Sequence, residues 1–126
     1  MIVVVVDDLI FLSKIQQTAG EVGVPIESLS PDKLDERMAR GMVSAVIIDL
    51  NHRSGAAVES VRALKANPST HHIPVAGFLS HVQADLAAAA REAGCDQVLA
   101  RSAFTHQLPQ LLLRLAGAEP ESGSHL

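Results

Sequence analysis

The run from Ile2 to Val6, five consecutive β-branched residues closed by Asp7 and Asp8, constrains this chain more than any other stretch of it. β-Branched side chains are stiff at χ1 and pack well on a pleated surface, so the run reads as a strand. No polar residue interrupts it, which is the pattern of a strand buried on both faces in a parallel sheet covered by helices. A second run, Val43 to Ile48, also ends abruptly in an acid, Asp49. In open parallel sheets the carboxyl ends of the strands form the binding crevice. If these two strands are neighbours, Asp7, Asp8 and Asp49 meet there, and their mutual repulsion is costly unless a cation lies among them. The pattern therefore predicts a cation site. The plainer alternative for Asp7 and Asp8 is a strand end whose acids cap the amino terminus of the next helix.

Strand-like runs alternate with helical stripes along the rest of the chain. Leu12, Ile15, Ala19 and Val22 recur at helical spacing, and the Gly23–Val24–Pro25 sequence ends that helix. Residues 25–29 form a short second strand. Ser30 is placed as an N-cap with Pro31 at the first helical position of a short helix that carries Leu34 and Met38 and stops at Gly41. After the third strand, Ser54 is placed to cap a helix with Val58, Val61 and Leu64 facing inward. Residues 67–72 are turn chemistry, and residues 73–79 are a fourth strand. An Ala-rich helix over 84–93 ends at Gly94, residues 97–100 are the fifth strand, and Pro109 marks the start of a last helix over 108–115. Five βα units in series predict an α/β fold: a flavodoxin-like, doubly wound, five-stranded parallel sheet of order 2-1-3-4-5 with five helices. The expected boundaries are one domain over residues 1–116 and a flexible tail over 117–126, where periodicity is lost.

Composition narrows the function. Three Phe, no Trp and no Tyr leave few surfaces for stacking bases, and a net charge of −4 disfavours phosphate backbones, so nucleic acid is not an expected partner. The single Cys95 has no partner for a disulfide, which suits a reducing, cytoplasmic setting. The apolar amino-terminal run is too short to span a membrane and lacks the basic flank of a signal peptide. Six histidines are scattered. His71 and His72 point apart in a turn, and His52, His81 and His106 follow different strands, so solvated loop residues account for them better than one metal centre. His52 and His81 are expected on the rim that carries Asp49.

The acidic pair in "VVVVDDL", the lone acid in "AVIIDLN", the stretch "VRALKANPSTHHIPV" and the segment "REAGCDQVLAR" together resemble the receiver domain of two-component response regulators, from Ile2 to about Leu115. The resemblance implies phosphorylation of Asp49, a Mg²⁺ held by Asp7, Asp8, Asp49 and the backbone carbonyl of Asn51, and a histidine kinase as partner. It also implies a dimer and output surface on the fourth helix, fifth strand and fifth helix. Signalling would pass through protein contacts, without catalysis of the chain's own.

The chain departs from the receiver pattern at four places. Arg101 stands where the family has Lys, and Ser102 where it has Pro. A guanidinium there is expected to pair bidentately with Asp49. Leu79 stands where a Thr or Ser is usual, and Ser80 follows one residue late, usable only if a bulge at Gly77 slips the register. Val98 replaces the switch aromatic, and "HRSGAA" replaces the usual Pro and Asp-Gly of the loop after the third strand. These changes describe an atypical receiver. Asp49 is then either a phosphoacceptor or a structural partner of Arg101, and the module either a phosphorelay receiver or a phosphorylation-independent pseudo-receiver. An aspartyl-nucleophile phosphatase is the rival of another class, with Asn51 where such enzymes carry a second acid.

Overall fold

A computed structural model describes residues 1–80 and 83–117. The expected tail and His81 lie outside the described residues, apart from Gly117. The strands are β1 (Ile2–Val5), β2 (Ile26–Ser28), β3 (Ala45–Asp49), β4 (Val75–Leu79) and β5 (Gln97–Ala100). They alternate with α1 (Leu9–Val22), α2 (Leu34–Ala39), α3 (Ala57–Ala66), α4 (Ala84–Glu92) and α5 (Arg101–Ala116). The strands form one parallel sheet of order β2-β1-β3-β4-β5. This is the flavodoxin-like arrangement expected from the alternation of patterns.

The two faces of the sheet carry two cores, and the period of two along each strand decides which residue joins which. Ile2, Val4, Ile47, Ala76 and Phe78 pack with Phe11, Ile15, Phe104, Leu108 and Leu112 under α1 and α5. Val3, Val5, Val46, Ile48, Val75 and Leu79 pack with Leu34, Val61, Leu64 and Ala90 under α2, α3 and α4. β1 is buried at every position because both of its faces are covered.

Three local expectations are corrected. Ser30 makes no capping bond to the backbone; a 3₁₀ turn over Pro31–Lys33 intervenes, and α2 begins at Leu34. Ser54 lies two residues before the N-cap of α3, which is Ala56, and its hydroxyl accepts the Ala56 N–H at 3.2 Å. The last helix begins at Arg101, with Pro109 inside it. Proline removes one helical hydrogen bond, but the stripe Phe104, Leu108, Leu111, Leu112 and Leu115 is buried on both sides of it, and that packing keeps the helix continuous.

Gly94 closes the turn before β5 with φ +109°, and a β-carbon there would stand 2.6 Å from Lys65 Cγ. That gap lets the Lys65 stem pass, so that Nζ donates to Ile73 O and Asp96 Oδ2, each at 2.8 Å. Asp96 Oδ2 in turn accepts the Val75 N–H at 2.7 Å, fixing the start of β4. Gly94→Ala is expected to cost about 2 kcal/mol, through backbone strain and this collision. Urea unfolding measures the loss, and an unchanged midpoint would refute the role of Gly94.

Candidate functional site

Because β1 and β3 are adjacent and in register, with Val5 opposite Ile48, their carboxyl ends deliver Asp7, Asp8 and Asp49 to one edge of the sheet. Each carboxylate has its own partners. Asp8 is the N-cap of α1: its Oδ1 accepts the N–H groups of Ile10 and Phe11, both at 3.1 Å, and its Oδ2 accepts Arg101 Nη1 at 3.2 Å. The Phe11 N–H, followed by the Arg101 side-chain bond, holds the Asp8 carboxyl below its ordinary value. Asp7 Oδ2 accepts Arg53 Nε at 2.7 Å and the Arg53 backbone N–H at 3.4 Å. Burial alone would raise Asp7, but the Arg53 contacts and nearby His52 outweigh it and the net direction is down.

Asp49 is different. It is 2 % exposed, and its Oδ1 accepts the Asn51 backbone N–H at 2.8 Å. Its Oδ2 lies 4.0 Å from Arg101 Nη2. Desolvation pushes its carboxyl above the usual carboxylate range against the opposing pull of the Asn51 N–H and Arg101, and Asp7 adds to the rise.

The expected bidentate Asp49–Arg101 pair is therefore corrected. Arg101 is a bridge, hydrogen-bonded to Asp8 and only within electrostatic reach of Asp49. Its guanidinium lies over the Phe11 ring, 4.3 Å from the centroid, and 5.7 Å from that of Phe78. Phe11, Phe78 and Phe104 are all the aromatic residues the chain has, and they cluster beneath it with centroid separations of 4.6–5.9 Å. A delocalised planar cation stacks on such a surface, while Lys presents a compact, strongly hydrated charge. Arg101 Nε is buried with no hydrogen-bond partner among the described residues. The residue also opens α5, where the helix macrodipole disfavours a cation. The site, not the helix, holds it there.

The β4 edge corrects a second expectation. No bulge occurs at Gly77: β3 and β4 run in continuous register, Ile48 opposite Gly77 and Asp49 opposite Phe78. Leu79 is buried in the α2–α4 core. Ser80 turns to Asn51, whose Oδ1 accepts the Ser80 N–H at 2.7 Å and its hydroxyl at 3.1 Å. Asn51 Nδ2 donates to Gln83 Oε1 at 2.7 Å. His52 Nδ1 lies 3.0 Å from the Ser54 hydroxyl, within its own loop.

Three carboxylates and the Asn51 carbonyl are hard-oxygen chemistry that would suit Mg²⁺. In the arrangement observed, however, two guanidiniums and four backbone N–H groups occupy the carboxylates. Among the described residues no group of three or more His, Cys, Asp or Glu side chains is placed to hold a metal ion. The three acids share one edge as expected, but the residues as placed do not fit a divalent cation.

Sequence reasoning missed Arg53, the Asn51 and Gln83 side chains, and the aromatic seat. Phe11 was open to inference, since it stands three residues after a capping Asp8 and shares its face of the helix. Arg53 and Gln83 lie in loops, where spacing carries no such signal.

No protein-family model matches the chain, and no curated protein matches it. Solved structures do. A response regulator from Hahella chejuensis aligns over 90% of this chain and 92% of its own, with 16% identity and a TM-score of 0.80. The signal receiver domain of a signal transduction histidine kinase from Syntrophus aciditrophicus aligns over 94% and 91%, with 18% identity and a TM-score of 0.81. The Mn²⁺-bound form of response regulator Rcp1 aligns over 92% and 91%, with 17% identity and a TM-score of 0.73. The expected likeness is thus found at the level of architecture: this chain has the receiver-domain fold of response regulators.

Proposed function

We propose that the chain is a non-enzymatic, cytoplasmic signalling module of receiver type that binds protein partners whatever the phosphorylation state of Asp49, with Arg101 compensating the acids at the carboxyl edge of the sheet. The observation that carries this reading is the guanidinium seated on Phe11 and shared between Asp8 and Asp49. It supplies internally the positive charge that a receiver site otherwise draws from a metal ion. Leu79 leaves no hydroxyl at the end of β4 to sense a phosphoryl group. Partner contacts, including self-association, are assigned to the α4–β5–α5 face. A shallow groove of about 280 Å³ there is lined by Leu79, Ala84, Ala87, Val98 and Ala100.

One observation favours the phosphoacceptor reading. Arg53, which covers Asp7, has a side chain 83 % exposed, and such exposed ion pairs contribute only ~0–1 kcal/mol. If Arg53 swings away, Asp7, Asp8, Asp49 and the Asn51 carbonyl become candidate Mg²⁺ ligands, and a histidine kinase a candidate donor to Asp49. Incubation with acetyl phosphate or beryllofluoride in Mg²⁺ separates the two readings. We expect no mass adduct, no Mg²⁺-dependent spectral shift, and identical partner binding by wild type and Asp49→Asn. A stoichiometric adduct lost in Asp49→Asn would establish the phosphoacceptor instead. Turnover of a generic phosphate ester that vanishes in Asp49→Ala would favour the phosphatase.

A further inference from the structure

The side chain of Asn51 joins two connections that the sheet does not. Its backbone N–H is on Asp49 Oδ1, at the end of β3. Its Oδ1 accepts both the N–H and the hydroxyl of Ser80, immediately after β4, and its Nδ2 donates to Gln83, the residue before α4. Asn51 thus uses its amide in both directions across 29 and 32 residues of sequence. The orientation is self-consistent: the oxygen faces donors and the nitrogen faces a carbonyl oxygen. Gln83 makes no side-chain cap on α4; among the described residues its side chain is engaged by Asn51. The Gln83 main-chain oxygen accepts the Ala87 N–H at 2.9 Å, in the first turn of α4.

We infer that Asn51 is a positioning residue: a clasp that pins the start of α4 to the strand bearing Asp49, and so fixes the α4–β5 groove without any group bound at Asp49. This rests on the reading given under Proposed function and supplies its physical means. The Leu79 side chain, packed in the core, can make no hydrogen bond between β3 and the β4–α4 connection, and the Asn51 amide provides one from the opposite strand end. Its bonds do not depend on the charge of Asp49, because Asn51 reaches that carboxylate through its backbone only.

Amide hydrogen exchange on the full chain tests the clasp. In Asn51→Ala, exchange at the Ser80 amide is expected to rise about tenfold or more, with a smaller rise at Ala87, as expected for a local opening that loses its bonds. The amides of β1 and α1 should keep their wild-type rates. The Asp49 side-chain titration should also stay where it is, since the backbone N–H of residue 51 remains. Gln83→Ala, an edge substitution that spares the core, should loosen Ala87 while leaving Ser80 protected. Unchanged exchange at Ser80 in Asn51→Ala, or the same acceleration at every amide, would overturn the clasp. That failure is separable from failure of the proposed function, which would show as an adduct on Asp49 in wild-type protein.

Discussion

Phe78→Ala is expected to destabilise the fold by about 3–5 kcal/mol, the usual cost of emptying a ring-sized volume from a rigid core. The ring is fully buried and touches the other two aromatics, 5.0 Å from Phe11 and 4.6 Å from Phe104 between centroids. It also sits opposite Asp49 in the β3–β4 register and helps seat Arg101. The loss therefore has two parts, separable by Phe78→Leu. Leucine refills most of the volume and should cost about 1.5 kcal/mol or less, while removing the aromatic face. Urea unfolding gives the first part. The second is read from the Asp49 carboxyl by ¹³C NMR: a less firmly seated guanidinium should let the Asp49 titration move further upward in both variants. An Asp49 titration unmoved in Phe78→Ala would show that the ring does not position Arg101.

Arg101→Ala is the second large effect, about 3 kcal/mol at neutral pH, because it strips one side of a partly buried charge cluster and leaves the others uncompensated. Asp8 keeps its two backbone donors. Asp49, nearly sealed from water, keeps only the Asn51 N–H. Arg101→Lys should recover less than half, since an ammonium cannot stack on Phe11 and reach both carboxylates at once.

The two acids predict opposite pH behaviour. The folded-state value of Asp49 lies above its unfolded value, so the native state binds more protons between the two, and stability falls as pH rises through that window. Asp8 is lowered, so its contribution is present above the unfolded value, near pH 4, and is lost as pH falls below it. Removing Arg101 takes away a charge that holds Asp49 down. The window should then widen toward neutral pH, making Arg101→Ala most costly there and milder near pH 4. Adding Asp49→Asn should flatten that slope and recover much of the loss. A pH-independent penalty in Arg101→Ala would remove Asp49 from the account.

How far the chain could be read depended on distance along it. The strand runs, the helix-ending glycines Gly23, Gly41 and Gly94 and the stripes of α1 and α3 are local patterns, and the parallel order followed from their alternation. Pro109 alone suggests a later start for α5, yet Phe104 continues the stripe of Leu108, Leu111 and Leu115 and the helix begins at Arg101. There, tertiary burial outweighed local preference. Ser54 marks the approach to α3 in the sequence, while the cap itself, Ala56, is decided by hydrogen bonds two residues on.

The site divides along the same line. That Asp7, Asp8 and Asp49 share one edge of the sheet was determined by sequence alone, because each closes an apolar run and the topology makes those runs neighbours. Which cation each carboxylate meets was decided by the tertiary structure. Arg53 reaches Asp7 across 46 residues and Arg101 reaches Asp8 across 93. Such pairings depend on loop paths, on side-chain rotamers and on a three-ring seat assembled from α1, β4 and α5. A local pattern announces acids that need compensation; only the packed fold selects arginines to provide it.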